Sequence, residues 1–274
     1  MLADIVDALR CPVCAEPLAP RDRALACAAG HAFDVARQGY ANLLPGGARP
    51  GTADTPEMVR ARDAFLGAGH FAPLTGALAA SVGDAARVLD AGAGTGHHLA
   101  AVLAAGRARA GIALDLSKHA ARRAARAHPR IGAIVADLWR DLPVRDAAVD
   151  AVINVFAPRN AAEYRRVLAP GGALHTVTPS ARHLGPLIPE LGLLTVDERK
   201  EERTDETLGG HFLLASRTPV ETTADLARDE IAALVGMGPS ARHVPAGELA
   251  RRIARLPDPF PVPLSFVLSV YRLR

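Results

Sequence analysis

The stretch Val88-Leu-Asp-Ala-Gly-Ala-Gly-Thr-Gly96 decides how the rest of the chain is read. Two apolar strand formers run into an acid, then into glycines at 92, 94 and 96, and the helix-forming His97–Ala105 follows. A strand that breaks into a glycine loop and restarts as a helix opens an α/β sheet, whose ligands lie beyond the carboxyl ends of the strands. Gly92, Gly94 and Gly96 are expected to let the backbone approach a ligand that a Cβ would hold off.

Outward from that loop, short apolar runs alternate with alanine-rich helices. The run 111–114 ends at Asp115, Ser117 is placed to cap a helix through His128, and the run 131–136 ends at Asp137. Further strands are predicted over 151–156, over 173–177 after the Pro170-Gly-Gly172 turn, and over 263–271 near the C-terminus. Strands alternating with helices predict a parallel, doubly wound sheet.

The strand ends indicate the cofactor. A dinucleotide fingerprint G-x-G-x-x-G needs glycine at position 97, where this chain has His97. Asp90, just before the loop, suits a sulfonium cofactor whose methionine ammonium needs an anionic neighbour. Asp115 can accept both ribose hydroxyls and Asp137 can receive the adenine amino group; helix N-capping is the alternative duty for each. S-adenosylmethionine (SAM) is therefore expected rather than a nicotinamide dinucleotide.

Near the N-terminus, Cys11, Cys14, Cys27 and His31 are spaced Cys-x2-Cys-x12-Cys-x3-His and include all three cysteines of the chain. Zinc favours four tetrahedral thiolate or imidazole ligands, and a Cys-x2-Cys knuckle supplies two from one turn. Four protein ligands close the site, so the zinc is expected to be structural. A disulfide would leave one cysteine over and needs an oxidising compartment.

The 274 residues, 49% hydrophobic, suffice for one catalytic domain and a small appendage. The start, Met1-Leu-Ala-Asp-Ile-Val-Asp7, has no basic n-region, and no run resembles a membrane span. With no cysteine beyond residue 27, these features predict a cytoplasmic protein without membrane contact. Three segments are expected: a zinc-binding module over 1–44, a linker and helix over 45–84, and the cofactor domain over 85–274. Thr55 and Pro56 read as N-cap and first residue of the linker helix. Formal charge is only +3, yet Arg122, Arg123 and Arg126, Arg165 and Arg166, and Arg251 and Arg252 form clusters able to contact phosphate. Solvated helix faces explain each cluster equally well. Met237-Gly-Pro-Ser240 and the arginine-rich stretch after it read as a lid or substrate-side loop.

The order of zinc knuckle, linker helix and glycine loop resembles the large-subunit ribosomal RNA guanine-N1 methyltransferase family (RlmA type). The resemblance rests on Cys11-Pro-Val-Cys14, the run from Phe33 to Leu44, Ala68-Gly-His-Phe-Ala-Pro-Leu74, the run from Val88 to Gly96, Phe156-Ala-Pro158, Pro170-Gly-Gly172 and Arg182-His-Leu184. Thr95-Gly-His-His98 and Asn154-Val-Phe-Ala-Pro-Arg-Asn160 look most similar to the branch holding tylosin-type macrolide-resistance enzymes. The resemblance implies a Rossmann-like class I SAM-dependent methyltransferase with an N-terminal zinc-binding RNA-recognition domain, often paired as a homodimer. It implies 23S rRNA as partner, methylated on N1 of a guanine in a hairpin loop. It also implies SAM contacts at Phe71, Gly96, His97 and His183, with phenylalanine at 71 where some relatives carry tyrosine.

Guanine N1 is protonated at neutral pH and must lose that proton around the attack, so a group that stabilises the O6 enolate is expected. Asn154, at the end of the fourth strand, is the candidate catalytic residue for contacting the base edge, with Phe156 available for stacking. The segment lacks the [Asn/Asp/Ser]-Pro-Pro-[Tyr/Phe] pattern of exocyclic-amine methyltransferases. Two other readings stay open: a small-molecule SAM-dependent methyltransferase that keeps the zinc module for stability, and a non-enzymatic SAM- or RNA-binding adaptor.

Overall fold

A computed structural model describes residues 1–46, 53–195, 197, 199–238 and 245–274. The 239–244 part of the expected lid, and residues 47–52 of the linker, lie outside them. Two 3-10 turns, Leu2–Asp4 and Val6–Ala8, lead into β1 (Ala19–Arg21), β2 (Ala24–Ala26) and β3 (Ala32–Asp34), an antiparallel sheet of its own. β4 (Tyr40–Asn42) follows, then α1 (Pro56–Gly67) and α2 (Ala72–Val82). The alternating part comprises β5 (Arg87–Ala91), α3 (His97–Ala105), β6 (Ala110–Asp115), α4 (Lys118–Ala124), β7 (Ile131–Val135), β8 (Val149–Val155), α5 (Ala161–Val167) and β9 (Leu168–Pro179). The C-terminal part holds α6 (Leu187–Leu191), α7 (Lys200–Leu208), β10 (Phe212–Leu226), α8 (Arg228–Gly236), α9 (Ala246–Ile253) and β11 (Phe260–Leu273).

The main sheet runs β10-β11-β9-β8-β5-β6-β7-β4, with β4 to β9 parallel and β11 antiparallel to both its neighbours. The expected parallel core is there, and Thr55 caps α1 by accepting the Met58 amide at 3.3 Å. β9 begins earlier than expected, running through the Pro170-Gly-Gly172 turn, and α4 stops at Ala124, short of His128. Two strands of the main sheet have no sequence-based expectation behind them, β10 and β4. β10 shows water on most of its residues, so no apolar run marks it. β4 is three residues long.

β4 matters most for the organisation. It belongs to the zinc segment yet pairs with β7, Tyr40 opposite Ala133 and Asn42 opposite Val135. Below it, Arg10 donates its amide to Pro143 O at 3.1 Å, and Arg145 returns one to Ala8 O at 2.8 Å. One apolar cluster joins Ile5, Leu9, Leu18, Leu25 and Leu43 of the N-terminal segment to Leu89, Ile112, Ile134, Tyr164 and Tyr271 of the sheet region. The expected three-part division is thus one of sequence segments, and packing crosses it at residue 44. The opposite face of the sheet buries α2, α3, α8 and the aromatic rings of Phe65, Phe71 and Phe266.

Candidate active site

The glycine loop leaves the middle of the sheet and turns into α3, with positive φ at Gly92 (91°), Gly94 (53°) and Gly96 (77°). A Cβ on Gly92 would stand 2.4 Å from the Cβ of Ala157; on Gly94, 3.1 Å from Arg62 Nη1; on Gly96, 3.0 Å from Ala124 Cα. The contacts that exclude side chains here are the protein's own. These glycines let the loop fold tightly against the 156–160 turn, α1 and α4.

Asp90, next to last in β5, is 2% exposed, and its Oδ1 has no hydrogen-bond partner. Burial, with the Asp115 carboxylate as a second cause, pushes its carboxyl up to about 8. A buried, unpartnered carboxylate at the mouth of the loop fits a ligand that brings a positive charge. Asp115 is committed locally: Oδ2 accepts the Gly94 amide and Oδ1 the Ser117 amide, both at 2.8 Å. It therefore holds the loop, and each oxygen keeps a lone pair for a ribose hydroxyl. Ser117 caps α4 as expected and donates its hydroxyl to Asp54 O at 2.8 Å.

A strap unannounced by the sequence crosses this loop. Arg62 of α1 pairs with Asp54 and donates Nη2 to Met237 O at 2.8 Å, tying together residues on both sides of the site. His97 and His98 open α3 with rings in edge contact; His98 Nδ1 is buried without a partner, and burial drives this ring down to about 3. Burial lowers His97 too, against the pull of Asp63.

Asn154, expected to contact the base edge, lies next to the last residue of β8. It is fully buried, and its Nδ2 lies within hydrogen-bonding reach of Ala91 O (3.0 Å), Pro158 O (2.9 Å) and the Tyr164 hydroxyl (3.1 Å). These contacts tie the end of β5 to the turn after β8, while Asn154 Oδ1 is buried without a partner. That turn presents Phe156, 44% exposed with φ 55°. Its ring centroid stands 6.3 Å from Phe71 and 5.5 Å from Phe266, and Phe266 lies 4.7 Å from His183. Phe71 is 2% exposed and serves as a wall of this aromatic group. His183 Nδ1 accepts the Ser265 amide at 3.3 Å, which leaves the ring proton on Nε2, and burial holds the imidazole down to about 4. Asp137 accepts the Trp139 amide at 3.0 Å and lines a cavity of about 340 Å³ with Pro12 of the zinc knuckle, Leu43, Pro45 and Arg140.

The four expected metal ligands converge, with all donor atoms within 4.8 Å of one another. Cys14 Sγ is 3.6 Å from Cys27 Sγ, and His31 Nδ1 lies 3.4 Å from Cys27 Sγ and 3.7 Å from Cys11 Sγ. A zinc tetrahedron with Zn–S bonds near 2.3 Å has edges of about 3.8 Å, so the donor set fits zinc through Nδ1 of His31.

Two family profiles match the chain: the N-terminal zinc ribbon of RlmA over residues 9–49 and a methyltransferase domain over 88–172. The 23S rRNA (guanine(748)-N(1))-methyltransferase of Streptomyces fradiae is 50% identical over 280 residues, 99% of either chain. The chain belongs to the 23S rRNA (guanine-N1)-methyltransferase family. A relative from Micromonospora griseorubida, provisionally named for the same activity, is 49% identical over 99% of both chains. In fold alone, a Bacillus halodurans methyltransferase is similar at TM-score 0.51 and 18% identity, covering 72% of this chain and 97% of its own.

Membership in this methyltransferase family makes SAM the methyl donor and the zinc structural, in keeping with orphaned Asp90 and the tetrahedral donor set. Of the arginine clusters, Arg123 is spent on Asp63, Arg166 on Glu163 and Asp146, and Arg252 on Glu248, while Arg122, Arg126, Arg165 and Arg251 are solvent-exposed. Sequence reading missed Arg62 and Tyr164, and no spacing rule singles them out.

Proposed function

We propose that this chain transfers the methyl group of SAM to N1 of a guanine in a hairpin loop of 23S rRNA, at the position matching that of the Streptomyces fradiae relative. The observation that carries this reading is the 50% identity maintained over 99% of both chains. Macrolide resistance is the corresponding biological role. SAM supplies an electrophilic methyl group on a sulfonium, and the residues of the chain provide alignment and charge.

Asp90 is the counter-charge for the methionine ammonium, the 92–96 loop carries the backbone around the ligand, and Asp115 and Asp137 serve the ribose and adenine. His97 and His183 complete the cofactor wall. The exposed ring of Phe156 supports stacking of a guanine splayed from its loop, since N1 is covered in a base pair. Attack forms the N1–CH3 bond as the C–S electron pair returns to sulfur, and the N1 proton leaves to solvent. His183 also suits the O6 side of the base: a neutral ring with its proton on Nε2 donates to the oxygen that gains charge.

The same reading includes pairing of two chains, supported by the free edge of β10 with Leu213 and Leu214 exposed. Three free thiols within one metal cluster support a cytoplasmic location. No single helix among the described residues is long and apolar enough to cross a membrane. The test is transfer of labelled methyl from SAM to unmodified 23S rRNA with the product nucleoside identified by mass spectrometry. N1-methylguanosine is expected; no incorporation while SAM still binds would favour a small-molecule acceptor.

A further inference from the structure

Trp139 is the chain's one tryptophan and, at 69% exposure, the most exposed large apolar side chain among the described residues. A single apolar side chain in water is ordinary. The turn beneath this one is not. Trp139 donates its own amide to Asp137 Oδ1 at 3.0 Å, and Asn160 Nδ2 donates to the carbonyls on either side, Leu138 O at 2.9 Å and Arg140 O at 3.2 Å. Folding thus fixes the backbone under the indole while leaving the ring itself in water.

We propose that Trp139 is a stacking platform for a second, unpaired nucleobase of the RNA hairpin loop that carries the target guanine. The inference rests on the rRNA reading above and assigns it a contact. The place of the turn carries it. β4, β7, β6, β5 and β8 run parallel, so the segments that leave their carboxyl ends share one rim of the sheet. On that rim, buried Leu138 meets the glycine loop, its Cδ1 standing 3.4 Å from where a Cβ on Gly92 would be. Arg140, on the other flank of Trp139, lines a cavity with Pro12 of the zinc knuckle and Leu43 after β4. The indole therefore stands on a turn that touches the cofactor loop at one end and the metal module at the other. Asn160, which holds that turn, belongs to the 156–160 turn presenting Phe156, so the two exposed rings are carried by hydrogen-bonded neighbours. The charges nearby favour a base over a phosphate. Asp137 and exposed Asp141 flank the indole, and the cation of the turn, Arg140, already lies 3.7 Å from Asp137. Carboxylates repel a phosphate, whereas every unpaired base has a face that stacks on an aromatic ring. A ring on so fixed a turn needs little ordering to bind.

The lone tryptophan gives a direct reading. Its emission on the zinc-loaded chain is titrated with an unmodified 23S rRNA hairpin fragment before SAM is added, and quenching is expected. Methylation kinetics, SAM calorimetry and thermal unfolding are then compared for the unaltered chain, Trp139→Ala and Trp139→Phe. Trp139→Ala is expected to raise KM for RNA about 5- to 100-fold, the range for one stacked base, and by more than it lowers kcat. The slope of log affinity against log salt should hold, since no phosphate contact is removed. Trp139→Phe should recover part of the KM, and Tm should hold in both variants. Unquenched emission, or an unchanged KM, would overturn the proposal. So would a loss of SAM affinity in Trp139→Ala, which would give the indole to the adenine, or a loss of chain pairing, which would give it to a second copy. If the unaltered chain methylates no RNA, the rRNA reading fails first and this contact falls with it.

Discussion

Asp90 shows how one residue links stability to ligand. Between the ordinary carboxylate range near 4 and about 8, the folded chain keeps a proton on Asp90 that the unfolded chain has lost. The native state then binds more protons, so the contribution of this group to stability falls as pH rises through that window. By pH 8 the difference is on the order of a few kcal/mol. Asp90→Asn is therefore expected to raise the Tm of the SAM-free protein at pH 8, with the gain shrinking towards pH 5, and to weaken SAM binding sharply. Thermal unfolding at the two pH values checks this, and an equal gain at both would refute it. Gly92 illustrates what a motif hides: its spacing was legible, but its reason, Ala157 at 2.4 Å from a would-be Cβ, lies in the turn after another strand.

Among the elements, β5, β6, β7 and β8 were legible because each is an apolar run with a polar residue within two positions of its end. β4 was not, since three residues carry no periodicity and their partner is β7, remote in sequence. The N-terminal 3-10 turns were equally silent, yet Ile5 is fully buried against Gly132, where a Cβ would meet Ile5 Cδ1 at 2.4 Å. Gly132→Val is expected to push Ile5 out of the core and to destabilise the fold by about 2–5 kcal/mol, comparable to emptying that site. Urea unfolding measures it; the double variant Gly132→Val with Ile5→Ala should recover part of the loss, and no recovery would place the damage elsewhere. The contacts of Asn154 were illegible for a related reason, because its three partners come from β5, the 156–160 turn and α5.

The whole molecule is more unified than its two motifs suggest. The cysteine and glycine signatures identify a metal segment and a cofactor segment correctly, but their apolar faces share one cluster. Zinc release and sheet unfolding are therefore expected to coincide. Heating with a chromophoric chelator should show metal loss and far-UV signal moving together, and Cys14→Ser should lower the Tm of the entire chain. Two separated transitions would show that the ribbon unfolds by itself. What neither signature conveyed is the antiparallel β10–β11 pair, whose exposed outer strand carries mixed residues on both faces.

The pairing of β4 with β7 also has a consequence for biosynthesis. Residues 40–42 leave the ribosome long before residues 131–135 that complete their ladder. The N-terminal segment can capture its metal early, but its buried face must wait, with Ile5, Leu9 and Leu43 uncovered, until the sheet has been translated. During that interval the nascent chain offers an apolar surface to chaperones, and early metal capture limits how far that surface can stray.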